Sequence, residues 1–172
     1  DEEKLTEMIN RKIRVEKVAI KDVKMRTFIT EDSNRSEMVQ HVYDVTYGTV
    51  QPNVDTLVVI DDSIVRGTTL KESIVRMLSR LKPVKIIVLS SAPQIRYPDC
   101  YGIDMAEIGK FIAFQAAIDL LKSGGHRSVI DEVYRRAKEE LEKPASEQVN
   151  AVKGIYEPFS DEQIAGRISE FV

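Results

Sequence analysis

Residues 56–90 read TLVVIDDSIVRGTTLKESIVRMLSRLKPVKIIVLS. Residues 56–60, TLVVI, form a short continuous apolar run with two valines and an isoleucine. Such a run reads as a strand buried on both faces. It leads into DDSIVRGTT, which is rich in turn formers, and there the period changes. Leu70, Ile74, Met77, Leu78 and Leu81 share one side, which predicts a helix over 69–81 that Pro83 stops. VKIIVLS, 84–90, reads as a second buried strand. Strand, helix and strand in so short a span make a βαβ unit, which implies parallel pairing and a right-handed crossover. The expected fold class is therefore α/β.

Around this unit the chain is less regular. Leu5, Met8, Ile9 and Ile13 predict a helix over 1–13, and 15–20 and 25–29 look like short strands. Residues 30–54 are polar and irregular, with one helical turn expected around 37–43; so long a connection is usually functional or mobile. After the loop SAPQIRYPDCYGID, a helix is expected over 107–122, ended by Ser123-Gly124-Gly125 as a glycine cap. Three more helices are expected over 129–142, 147–156 and 161–171, the last begun by a Ser160/Gln163 capping box.

The whole chain, 172 residues with a net charge of −3, suits one globular domain and does not suggest a basic nucleic-acid surface. Its one cysteine, Cys100, excludes an intrachain disulfide or a Cys-only metal site. No apolar run is long enough to span a membrane. The charged start has no apolar signal core, so a cytoplasmic location is expected, and the missing initiator Met suggests a piece of a longer protein.

The chemistry concentrates where 56–60 ends. A buried parallel strand delivers its carboxyl end to the crevice in which α/β sheets bind ligands. Asp61 and Asp62 emerge there together, and adjacent like charges are tolerated where they meet water, ligand hydroxyls or a cation. Gly67 permits tight backbone geometry, and Ser63, Thr68 and Thr69 offer hydroxyl donors. The helix that follows favours an anion at its start. Acceptors for sugar hydroxyls thus stand beside a cradle for a phosphate. The same residues also suit a capped αβ turn with Asp62 or Ser63 as N-cap. Neither GxxxxGK[ST] nor GxGxxG occurs.

Residues 57–69, LVVIDDSIVRGTT, resemble the phosphoribosyl-pyrophosphate (PRPP) motif of type I phosphoribosyltransferases: an apolar strand, two acids, then a Ser/Thr/Gly loop. The DDSIVRGTT form is especially similar to the glutamine PRPP amidotransferase (amidophosphoribosyltransferase) family. Arg26-Thr27-Phe28-Ile29 resembles that family's RTFI before its flexible loop, and SAPQIRYP (91–98) with YGIDM (101–105) resembles a further signature. Order and spacing fit over about residues 25–110.

The resemblance implies a type I phosphoribosyltransferase core, a parallel sheet flanked by helices, incomplete at the N-terminus. Residues 1–125 would form this partial domain, and 126–172 a C-terminal helical extension packed on it. Asp61 and Asp62 would be the catalytic pair, accepting from the ribose hydroxyls or orienting Mg2+. Ser63, Ile64, Val65, Arg66, Gly67, Thr68 and Thr69 would hold the 5′-phosphate, largely through backbone N–H groups. Arg66 could face that phosphate or pair with a surface carboxylate. Arg26 and Arg35 would belong to the flexible loop.

The implied activity is formation of 5-phosphoribosylamine from PRPP and glutamine-derived ammonia in purine synthesis. The alternative is a regulatory domain of this fold that senses PRPP or a nucleotide without turnover. Expected partners are PRPP, nucleotide effectors, a glutaminase domain of the same polypeptide and, in the full-length protein, further copies; no nucleic acid or membrane is expected. The family's glutaminase domain with its N-terminal cysteine is not found in the sequence, Cys100 being no substitute, and its first core strand with the pyrophosphate-gripping loop has no counterpart in 1–25, so the isolated chain is expected to be inactive. His41 and His126 read as bystanders, Tyr101 as packing, and Asp104 as a helix cap or a residue at the pocket mouth. Arg135-Arg136 with Glu139-Glu140 reads as a solvated helix face.

Overall fold

A computed structural model describes residues 2–10, 12, 14–21, 43–46, 48–67, 70–99, 101 and 105–172. Its elements, in chain order, are α1 (Glu2–Asn10), β1 (Ala19–Lys21), β2 (Tyr43–Val45), β3 (Thr56–Asp61), α2, β4 (Lys85–Ser90), α3 (Ile112–Ser123), α4 (Arg127–Leu141) and α5 (Asp161–Phe171). Helix α2 begins as wide π-helical turns over Leu70–Val75 and continues as α-helix over Arg76–Ser79.

The βαβ unit forms as the pattern predicts. Strands β3 and β4 pair in parallel, with Leu57 opposite Ile86, Val59 opposite Val88 and Asp61 opposite Ser90. Leu57, Val59 and Ile86 pack with Ile74, Met77, Leu78 and Leu81 from α2 and its end, and with Val50. The chain leaves α2 through Lys82, in the left-handed region at φ 54°, whose carbonyl accepts from Asn53 N–H at 2.7 Å; Pro83 follows. Burial on both sheet faces is not found. Val58 is 57% exposed and Ile60 76%. A parallel pair buries only the face its crossover helix covers, and α2 covers one. These parallel strands with flanking helices are an α/β arrangement; the full type I core is not shown among the described residues.

Strands β1 and β2 form a separate antiparallel pair. Tyr43 thus opens a strand where the end of a helical turn was expected; residues 25–29 and 37–42 lie outside the described residues. Arg14 ties this part to the start of β3, bonding Asp55 at 3.2 Å and the Thr49 carbonyl. Helix α1 forms, but Leu5, Met8 and Ile9 on its apolar stripe remain exposed.

Helices α3, α4 and α5 share one core. Ala113, Ala116, Ala117 and Leu121 meet Val133, Ile155, Tyr156 and Ile164. The end of α3 is a Schellman turn: His126 N–H reaches the Leu121 carbonyl at 2.8 Å, and Gly125 takes φ 77°. The Ser160/Gln163 capping box forms at the start of α5. The helix expected over 147–156 is replaced by short 3-10 turns, Ala145–Glu147 and Ala151–Ile155. Glu140 accepts the Val149 N–H at 2.9 Å, and the Asn150 side chain accepts that of Val152 at 3.0 Å. Both N–H groups are thereby drawn out of a helical ladder. Lys143 and the Val149 N–H hold Glu140 below the usual carboxylate range. Arg135 and Glu139 form the expected exposed i,i+4 pair, at 2.6 Å.

Candidate functional site

The site is built at the carboxyl end of β3, where the sheet hydrogen bonding continues past the last strand residue. Ser91 N–H donates to the Asp61 carbonyl at 2.9 Å. Ala92 N–H and the Ser91 hydroxyl both donate to the Asp62 carbonyl, each at 3.0 Å. The two aspartates are therefore held by their backbones. Their side chains act locally: Asp61 Oδ1 accepts the Asp62 N–H at 2.9 Å, and Asp62 Oδ1 accepts the Ser63 N–H at 2.7 Å. Asp61 is half-buried and Asp62 exposed. Ser63 N–H is engaged by Asp62, so an anion here must share or displace that contact.

Residues 63–67 are half-buried and anchored at two carbonyls. Ile112 N–H, from the first residue of α3, donates to Val65 at 2.8 Å, and Lys71 N–H donates to Gly67 at 2.9 Å. Gly67 sits at φ 72°, and a Cβ there would lie 2.2 Å from Ile112 Cδ1. Glycine is thus required twice, by the left-handed backbone and by the close approach of α3. Behind the loop, Ile64, Leu70, Val88, Ala113 and Ile168 help to line a cavity of about 320 Å³. Among the described residues its lining holds no charged side chain, so it does not suit a sugar phosphate.

The structure brings Asp61, Asp62, Ser63, Ile64, Val65, Arg66 and Gly67 together at this tip. Arg66 is half-buried. Thr68, Thr69, Arg26 and Arg35 lie outside the described residues, as do His41, Cys100 and Asp104. His126 is exposed at the end of α3. Tyr101 corrects the expectation of packing: it is 95% exposed, on a turn where its N–H donates to Asp99 at 2.8 Å.

The donor set can be weighed against Mg2+. Two carboxylates are hard oxygen donors, and each uses Oδ1 for a backbone N–H. No group of three or more His, Cys, Asp or Glu side chains able to hold a metal occurs among the described residues. Mg2+ is commonly held by one or two carboxylates together with substrate phosphates and water. The pair fits a cation that arrives with a phosphorylated ligand better than a resident one.

Sequence reasoning singled out SAPQIRYP without giving it a physical role. In the structure its first residues clamp the aspartate carbonyls, and its Arg96 reaches the C-terminal helices. Arg96 donates to Gln94 Oε1 at 2.8 Å and pairs with Asp161, and its guanidinium lies 5.2 Å from the Tyr156 ring centroid. Tyr156 O–H donates to the Arg96 carbonyl at 2.8 Å. Burial, with Tyr97 adding to it, pushes the Tyr156 hydroxyl well above the ordinary phenol range, and Arg96 offsets this only in part. Tyr156 therefore remains a neutral donor. Ile112 was also missed, because a backbone donor leaves no mark in residue type.

The sequence is similar to curated proteins that share one name. They are amidophosphoribosyltransferases. The protein of that name from Pasteurella multocida (strain Pm70) is 48% identical over 63 residues, which is 37% of this chain and 12% of the relative. The amidophosphoribosyltransferase of Escherichia coli (strain K12) is 41% identical over 66 residues, 38% of this chain and 13% of the relative. That of Staphylococcus epidermidis is 34% identical over 100 residues, 57% and 19% of the respective lengths. The chain thus spans well under a quarter of the amidophosphoribosyltransferases it matches. No family model and no solved structure matches it. No helix among the described residues is long and apolar enough to cross a membrane.

Proposed function

We propose that this chain is the PRPP-binding part of an amidophosphoribosyltransferase, which makes 5-phosphoribosylamine from PRPP and glutamine-derived ammonia in purine synthesis. The observation that supports this most directly is the tip of β3. There, paired carboxylates precede a loop held in place by Ile112 and Lys71, in chains whose relatives carry that name.

In this reading Asp61 and Asp62 accept from the ribose hydroxyls and hold Mg2+ that enters with PRPP. When bound, the cation neutralises charge on the departing pyrophosphate. Residues 63–69 orient the 5′-phosphate. The C1–O bond to pyrophosphate breaks, pyrophosphate keeps the electron pair, and ammonia nitrogen bonds to C1 and gives up a proton to solvent. The chain's own contribution is positioning and charge complementarity, with no protein nucleophile. The glutaminase that frees ammonia lies outside these residues, so the chain alone produces no phosphoribosylamine from glutamine.

Calorimetric titration with PRPP and Mg2+ tests the reading. Binding is expected for the wild type, and a loss of roughly tenfold or more for Asp61→Asn combined with Asp62→Asn, with the circular dichroism unchanged. Absence of PRPP binding by the wild type overturns the proposal.

A further inference from the structure

We infer that Arg96 is a positioning residue for the aspartate pair: it sets the place of Asp61 and Asp62 from the C-terminal helical layer without touching the ligand. The inference rests on the PRPP-site reading above and adds the device that holds that site in register.

Three bonds fix the aspartate backbone beyond the end of the sheet, and all three come from Ser91 and Ala92. The backbone that carries the carboxylates is therefore held from 91–92. That segment is covalently continuous with Gln94–Arg96, where the chain is fastened a second time, now to residues 60 to 67 positions away. Gln94 Nε2 donates to the Asp161 carbonyl at 2.7 Å, and Arg96 Nη2 pairs with the Asp161 carboxylate. Arg96 also bonds Gln94 Oε1 and lies over the Tyr156 ring, while Tyr156 O–H returns a bond to the Arg96 carbonyl. Tyr97 adds an edge contact, 5.7 Å between its ring centroid and that of Tyr156. Asp161 opens α5, and Tyr156 is 3% exposed within the helical core. The clasp thus joins the helical core to the segment that bonds the aspartate carbonyls.

Arginine is required here for its planar fork. It pairs with two acceptors and stacks on a ring at once, which a lysine ammonium cannot reproduce. The phosphate loop has a separate anchor, the Ile112 N–H on Val65. Loosening the clasp should therefore disturb the carboxylates more than the phosphate cradle, which shares with them only the Asp62 bond to the Ser63 N–H. A merely stabilising staple would not make that distinction.

The test compares two probes on the 172-residue chain, PRPP with Mg2+ and inorganic phosphate, by NMR titration well below the melting temperature. Arg96→Lys is expected to weaken PRPP roughly fivefold and to change inorganic phosphate by less than about twofold. Tyr156→Phe, which keeps the ring and removes the O–H, should give the same split with a smaller loss, and it serves if Arg96→Lys does not fold. Equal weakening of both probes, or no change in either, overturns the inference while the PRPP site stands. Failure of the wild type to bind PRPP removes the site itself, and is seen before any variant is made.

Discussion

The helical layer and the βαβ unit differ in how well each buries its own apolar residues. One buried cluster of eight described residues forms around α3, in which Ala116, Ala117, Leu121 and Ile164 have no exposed surface; Phe111 and Ile112 are buried at its start. Around α2 the buried cluster is Val50, Leu78 and Leu81, with Leu70 buried apart from it, while Val58 and Ile60 on the opposite sheet face stand in solvent. Yet the thinly cored unit carries the aspartates and the loop. The difference shows that the site does not depend on the βαβ unit alone. Ile112, within 1–125, holds the loop, and Asp161 and Tyr156, within the expected extension 126–172, hold Arg96, so residues on both sides of that boundary brace the tip of β3.

If that comparison is right, the largest effect should come from the helical core. Leu121→Ala and Ile164→Ala each remove a fully buried side chain and leave a cavity. Each is expected to cost about 2–5 kcal/mol in urea denaturation, with the site lost in the same transition. A separate, earlier transition of the βαβ unit that leaves α3–α5 folded would break the comparison.

Next comes the contact between the two regions. Gly67→Ala forces a left-handed alanine and places its Cβ 2.2 Å from Ile112 Cδ1. The expected cost is about 2 kcal/mol, read as a lower melting temperature. Adding Ile112→Val removes the clashing Cδ1 and should restore part of the loss, leaving the share due to φ. No rescue would mean that the α3 contact does not constrain the loop.

Much of this was legible in sequence, for identifiable reasons. The change of period across 56–90 gave the βαβ unit, because periodicity reflects which face is buried. Ser160/Gln163 and Gly124-Gly125 gave helix ends, because capping is local chemistry. That β3 is buried on one face only was not legible: an apolar run such as TLVVI states what a residue tolerates, not what neighbour is there. Residues 147–156 read as a helix but do not form one, because the Val149 and Val152 N–H groups are taken by Glu140 and Asn150, and the former lies outside the segment. At the site, the residue types of Asp61–Gly67 could be read, whereas the supports from Ile112 and Arg96 depend on contacts distant in sequence.

A smaller effect separates local from global support in the helical layer. Ser160→Ala removes the side-chain acceptor for the Gln163 N–H and one half of the capping box. The expected cost is about 1 kcal/mol. Because Asp161 begins the same helix and receives Arg96, fraying there should also weaken PRPP binding slightly. A stability loss with unaltered binding would place the hold on Arg96 in Tyr156 rather than in Asp161.

The smallest effect is expected on the open face. Ile60→Thr keeps the β-branch that suits a strand and removes apolar surface that is already 76% exposed. Little burial is lost, so stability should move by no more than about 0.5 kcal/mol. The outcome depends on whether β3 meets solvent on that side in the protein as it works. If Ile60→Thr costs as much as the core substitutions, that face is covered in solution and the βαβ unit is not thinly cored after all. Its melting temperature should then depend on protein concentration if the cover is a second copy, and be independent of it if the cover comes from the same polypeptide.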